Sequence, residues 1–186
     1  MILYHLDTLG RLQEGMLVNL SPASLSVFGR NYVSRFQRHD LLHSLETGTL
    51  PRSLASLNSA TFREFVVEFH RRHHPEVKKM MRPSRLNSFF ATANVDDAVL
   101  YAERHDYHGP LRVFEIQVAA ATPCFDMTWL DRDFPREINP SVSYYFRKYW
   151  AGELFEKDLD VCIEDSRKSL REFLITSPAL VRGKAL

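Results

Sequence analysis

From Ser24 to about Met81 apolar residues recur at helical spacing, most clearly at Phe62, Phe65, Val66 and Phe69, which stand at i, i+3, i+4 and i+7. Ser59 precedes them as a helix cap, so this stretch is predicted to be mostly helical. Arg82-Pro83-Ser84 ends it, because proline disfavours a helical residue before it and cannot extend the hydrogen-bond ladder. On the N-terminal side, apolar Met1 to His5 runs into turn chemistry at Asp7, Thr8 and Gly10, which predicts a short first strand; Leu12 to Leu20 reads as a second extended piece. After the proline, Leu86 to Thr92 reads as a strand. Asn94, Asp96 and Asp97 then open a helix that turns Ala98, Tyr101 and Ala102 inward. Leu111 to Ala121, rich in β-branched residues, reads as a central strand. Helical spacing returns from Ser143 to Phe155, with Tyr145, Tyr149 and Trp150 on one side, and Glu172 to Val181 reads as a last strand with Pro178 at an edge or bulge. Strands and helices mix without a βαβ rhythm. The expected fold is a single α+β domain with a split, mainly antiparallel sheet and a helical insertion at about residues 24–81.

Composition agrees with one domain that buries a full core: 186 residues, 45% hydrophobic and 25% charged. Lys and Arg total 24 against 23 Asp and Glu, a net charge of +1, so any basic surface is local. Cys124 and Cys162 have no metal-ligand spacing and are too few for a disulfide framework, which suggests a reducing compartment. No apolar run approaches the length of a bilayer, and the start carries no basic leader or cleavage site, so a cytoplasmic protein without membrane contact is expected.

Three separated segments resemble the ADP-ribosyltransferase superfamily, in the order its fold requires. Leu3-Tyr4-His5-Leu6 is similar to the first-strand histidine motif of the diphtheria-toxin and poly(ADP-ribose) polymerase branch. Asn87-Ser88-Phe89-Phe90-Ala91-Thr92, with Asp97-Ala98-Val99-Leu100-Tyr101-Ala102, resembles the strand and helix whose aromatics sandwich nicotinamide. Leu170-Arg171-Glu172-Phe173-Leu174-Ile175 resembles the strand that places one glutamate before an apolar run. Pro83-Ser84-Arg85 and Tyr149-Trp150-Ala151-Gly152-Glu153 also look like a bacterial subfamily of unknown function in this superfamily. The resemblance implies NAD as substrate, Glu172 as the catalytic carboxylate, and His5 on the adenine-side ribose. It also implies a backbone contact beside Leu6 to the nicotinamide amide, with Phe89 and Tyr101 forming the aromatic slot. Leu6 stands where the family usually has glycine, and Phe89 where it has tyrosine; the latter keeps the stacking face and loses a hydroxyl.

These residue types suit the reaction. Cleaving the nicotinamide–ribose bond develops positive charge on the sugar, which a buried carboxylate stabilises. Phe89 and Tyr101 can hold the leaving ring by offset stacking, and they can equally be core. Arg85 and Ser88 are candidates for the pyrophosphate and ribose, or anchors of the turn after Pro83; Arg30 is a further phosphate candidate. His70, His73 and His74 have zinc-like spacing, but basic neighbours and the lack of a partner ligand argue against a metal. From His70 to Arg85 six basic residues stand against Glu76, a local charge of +5 that suits RNA, DNA or an acidic protein. From Glu153 to Asp165 six acidic residues, Glu164 among them, stand against Lys157, and this run is expected to balance the basic one. Trp150 and Glu153 belong to an acceptor-recognition loop or cap a helix.

The leading expectation is therefore an NAD-dependent mono-ADP-ribosyltransferase acting on a protein or nucleic-acid acceptor, of the kind used by toxins, effectors or anti-phage factors, with an antitoxin or inhibitor as a possible partner. An RNA 2′-phosphotransferase-like enzyme and a non-catalytic binding module of the same fold are the alternatives.

Overall fold

The computed structural model describes residues 1–162 and 165–186. Glu164 and the side chain of Cys162 lie outside the described residues. Strands β1 (Ile2–Leu6), β2 (Leu17–Val18), β3 (Phe89–Thr92), β4 (Val113–Val118), β5 (Cys124–Asp126), β6 (Arg171–Ile175) and β7 (Ala179–Lys184) form one sheet in the order β2-β7-β4-β1-β3-β6-β5. Every pairing in it is antiparallel. The helices are α1 (Val27–Arg38), α2 (Leu42–Thr47), α3 (Ser59–His73), α4 (Pro75–Lys79), α5 (Val95–Arg104), α6 (Pro140–Ala151) and α7 (Leu159–Cys162). The chain is thus α+β, and among the described residues no helix is long and apolar enough to cross a membrane.

Several boundaries move for local reasons. Asn58, not Ser59, caps α3: its side chain accepts from Thr61 N at 2.9 Å. α6 begins at Pro140, earlier than expected, because Asn139 caps it at 2.8 Å and proline suits the first helical position; it ends at Gly152, whose φ of 75° is left-handed. The first half of the expected 86–92 strand is a 3₁₀ turn, Arg85–Asn87, capped by the Ser84 hydroxyl, which accepts from Leu86 N at 3.1 Å. Of the extended piece at 12–20 only Leu17 and Val18 form a strand, paired with Leu180 and Ala179, while Gly15 and Met16 bond the backbone of Val181.

The expected strand 172–181 is two strands. β6 pairs with β3 and β5, whereas β7 pairs with β4 and β2, so β3, β1 and β4 lie between them. Pro178 stands in the crossing between the two halves rather than at a bulge of one strand. Those halves meet at a narrow seam: β1 pairs with β4 over five residues, but with β3 through Tyr4 and Thr92 alone.

Each sheet face has its own cover. On one, Leu3, Ala91, Phe114, Ile116, Ile175 and Val181 pack with Phe89 and Phe173 beneath Leu12 and Leu20 of the N-terminal loop. On the other, Leu174 and Phe90 meet the largest cluster, built around Phe36, Phe62, Phe65, Val66, Phe146 and Trp150, while Leu6 and Val113 meet Ala98 and Ala102 of α5. Phe62, Phe65 and Val66 are fully buried, each such side chain contributing about 1.5–3 kcal/mol. The helical region is therefore a main wall of the core and not an addition to a complete sheet. α1 is docked tightly: Ser26 N and Oγ both donate to the Leu86 carbonyl, and a Cβ on Gly29 would stand 1.8 Å from that oxygen.

Candidate active site

Strand parity places Glu172 on the helix-covered face, with Leu174, while Phe173 and Ile175 face the other way. It lies in one row across the sheet with Thr92 and, beyond the seam, Tyr4. Oε1 of Glu172 accepts from the Tyr149 hydroxyl at 2.6 Å and from Arg85 Nη1. Arg85 Nη1 also donates to the Tyr149 oxygen at 2.7 Å, and its Nε donates to Glu64 Oε2 at 2.9 Å. The turn that carries Arg85 is held in turn by α3, since Arg85 N and Ser84 Oγ both donate to Glu68 Oε1. The guanidinium lies 4.8 Å from the centre of the Phe90 ring.

Two carboxylates thus share one buried guanidinium. Burial works against the charge on Arg85, but Glu172 and Glu64 hold it firmly protonated. Burial raises Glu64 too, yet Arg85 and Arg63 outweigh that and keep its pKa below the ordinary value. For Glu172 burial wins over Arg85 and Tyr149, and the pKa is raised. Burial also pushes the Tyr149 phenol well up, so it stays a neutral donor. Solvent reaches 7% of the Glu172 side chain and none of Glu64, so Glu172 is the carboxylate at the edge of the network.

His5 is one residue beyond Tyr4 and so belongs to the opposite face. Its Nδ1–H donates to the Phe90 carbonyl at 2.6 Å, in place of a ladder bond where β1 and β3 diverge, and the ring stacks on Phe89 with centroids 4.1 Å apart. The carbonyl partner leaves Nε2 as an acceptor. Burial lowers the pKa of His5, only partly offset by the Phe90 bond and Asp7, so the ring is neutral. The expected convergence of His5, Phe89, Tyr101 and Glu172 on one space is corrected: His5 and Phe89 form a pair on one face, and Tyr101 and Glu172 lie on the other. Tyr101 packs between the helix-side core and the Leu6 cluster, with its ring 4.2 Å from that of His105.

The aromatic strand residues that share the face of Glu172 are Tyr4 and Phe90, each one position from the motif residue singled out in the sequence. Counting back in twos from Thr92 finds Phe90, but only the pairing register finds Tyr4. Phe28 of α1 meets Phe90 edge-on at 4.8 Å. Leu6 turns its side chain into the α5 cluster. Ser88 donates to the Ser84 carbonyl at 2.7 Å, within the turn. Arg85 spends its fork on carboxylates and presents none of it to a pyrophosphate, and Arg30 donates to Leu25 O at 2.9 Å.

His70 and His73 bond the carbonyls of Val66 and Leu45. Trp150 is buried in the core, donating to Val67 O, whereas Glu153 is exposed just past the end of α6 and pairs with Lys148. The acidic run does not offset the basic one by pairing: among the described residues Glu153 and Asp158 pair with Lys148, and Asp165 with Arg132 and Arg167. Cys124 is a free thiol that burial pushes up to about 11. No family model and no curated protein matches the chain.

Proposed function

We propose that the protein is an NAD-dependent ADP-ribosyltransferase in which Glu172 stabilises the sugar cation. In this reaction the bond from C1′ of the ribose to the nicotinamide nitrogen breaks, its electron pair leaving with the ring. A nucleophile of a protein or nucleic-acid acceptor then bonds to C1′ and gives up its proton. The observation that carries the proposal is the fixing of one carboxylate at the start of β6 by Tyr149 and Arg85, at the edge of the buried network. Such a group needs no reorganisation when positive charge develops. Tyr4, Phe90 and Tyr101 supply aromatic faces on the same side of the sheet for the leaving ring.

The test is labelled NAD with purified protein and cell lysate, separated into protein and nucleic acid. Glu172→Gln is isosteric and is expected to lower NAD turnover by about a hundredfold or more. Thermal melting is the control for folding. Turnover at the wild-type rate in a folded variant overturns the assignment of Glu172. A non-catalytic binding role is favoured by one observation, the pairing of Arg85 with both Glu64 and Glu172, which makes Glu172 an internal brace. In that case NAD stays intact with the wild-type protein as well.

A further inference from the structure

Beside the 3₁₀ turn, at the end of the sheet remote from Glu172, is a cavity of about 320 Å³ lined by Arg71, Arg72, Arg82, Ser84, Asn87 and Thr176. Thr176 follows β6 directly and is four residues from Glu172, roughly 13 Å at about 3.3 Å per residue, so the cavity opens away from Glu172, with Ser84 beside Arg85 joining its wall to that network.

Its three guanidinium groups are held by one side each. Arg71 Nε donates to Glu68 Oε2 at 2.8 Å, which compensates that charge. Arg82 Nε donates to the Trp150 carbonyl at 3.0 Å, and Arg72 Nη1 reaches the Leu45 carbonyl at 3.4 Å. Among the described residues neither Arg72 nor Arg82 has an ion-pair partner, and the buried Nε of Arg72 has no acceptor at all. Two uncompensated guanidinium charges match one dianion. The volume is at the low end for small-molecule sites, about 300–1,000 Å³, and suits a terminal group better than a continuous chain.

We infer that this cavity binds a phosphate monoester, the dianionic end of a nucleotide or of a 5′-phosphorylated strand. Guanidinium forks meet phosphate oxygens in pairs, and the Thr176 hydroxyl on the cavity wall adds a neutral donor. The inference does not depend on NAD cleavage.

Calorimetric titration of the full chain tests it, with inorganic phosphate, AMP, adenosine, and one oligonucleotide carrying either a 5′-phosphate or a 5′-hydroxyl. Phosphate and AMP are expected to bind, and adenosine is not. Arg72→Gln is expected to weaken AMP about tenfold or more, the loss of a charged hydrogen bond, with little change in melting temperature because its native contacts are few. Arg72→Lys keeps the charge without the fork and should fall between. Thr176→Val, which leaves the arginines intact, should weaken AMP by a smaller factor. A 5′-phosphorylated strand that binds more tightly than AMP identifies a nucleic-acid end as the source, and equal binding identifies a free nucleotide. AMP binding no better than adenosine overturns the inference. So does AMP affinity unchanged by Arg72→Gln.

Discussion

Arg85→Met removes the one cation that two buried carboxylates share and replaces it with an apolar chain of similar length. Arg85 is 3% exposed and Glu64 fully buried, so water cannot take over the lost role. Breaking a buried ion pair from one side costs about 3–5 kcal/mol, a large part of the roughly 5–15 kcal/mol that holds a domain together. At about 2–4 °C per kcal/mol for a chain of this size, the melting temperature should fall by roughly 6–20 °C. Urea unfolding followed by tryptophan fluorescence measures it, since Trp129 and Trp150 are both fully buried. The loss should also depend on pH. Without Arg85, burial pushes Glu172 further above the ordinary carboxylate value and leaves Glu64 with Arg63 as its cation, so the folded state of the variant binds more protons than the unfolded one. Its stability then rises as pH falls from the folded pKa of Glu172 towards about 4.5, the opposite of ordinary acid denaturation. Adding Glu172→Gln should restore part of the loss, because a neutral amide no longer needs the guanidinium. A loss under about 1 kcal/mol, or one that is the same at pH 7 and pH 5, would refute the view that Arg85 compensates these two groups.

Burial lowers the pKa of His70 from 6.5 to about 4, despite its bond to Val66 O. Stability is then fully present above pH 6.5 and is lost as pH falls towards 4, by about 3 kcal/mol at 1.36 kcal/mol per pH unit; His70→Leu should flatten that part of the urea-stability profile, and an unchanged slope counts against it. Gly29→Ala should destabilise by about 1–3 kcal/mol although alanine is the better helix former, because its Cβ meets the Leu86 carbonyl; a melting temperature at or above wild type would show that α1 can move away from the turn at no cost.

The local features were legible in the residues themselves. The period of Phe62, Phe65, Val66 and Phe69 marks α3, Asn94 with Asp96 and Asp97 marks the start of α5, and the β-branched run marks β4. Each depends on neighbours within a few positions, where spacing and capping act. Glu172 was legible as a strand-start carboxylate, and His5 and Phe89 as ring-bearing strand residues. Only the tertiary structure decided which of them share a face. Alternation along one strand is local, but a slip of one residue between strands exchanges the faces. The pairing of Tyr4 with Thr92 and of Thr92 with Glu172 spans 88 and 80 positions of sequence. The same holds for Arg85, which the sequence offers as a pyrophosphate ligand or an anchor of the turn after Pro83. Glu64 and Glu172, 21 and 87 residues away, make it the buried centre of the site, because a charge stays in the core only when the fold brings opposite charges to it.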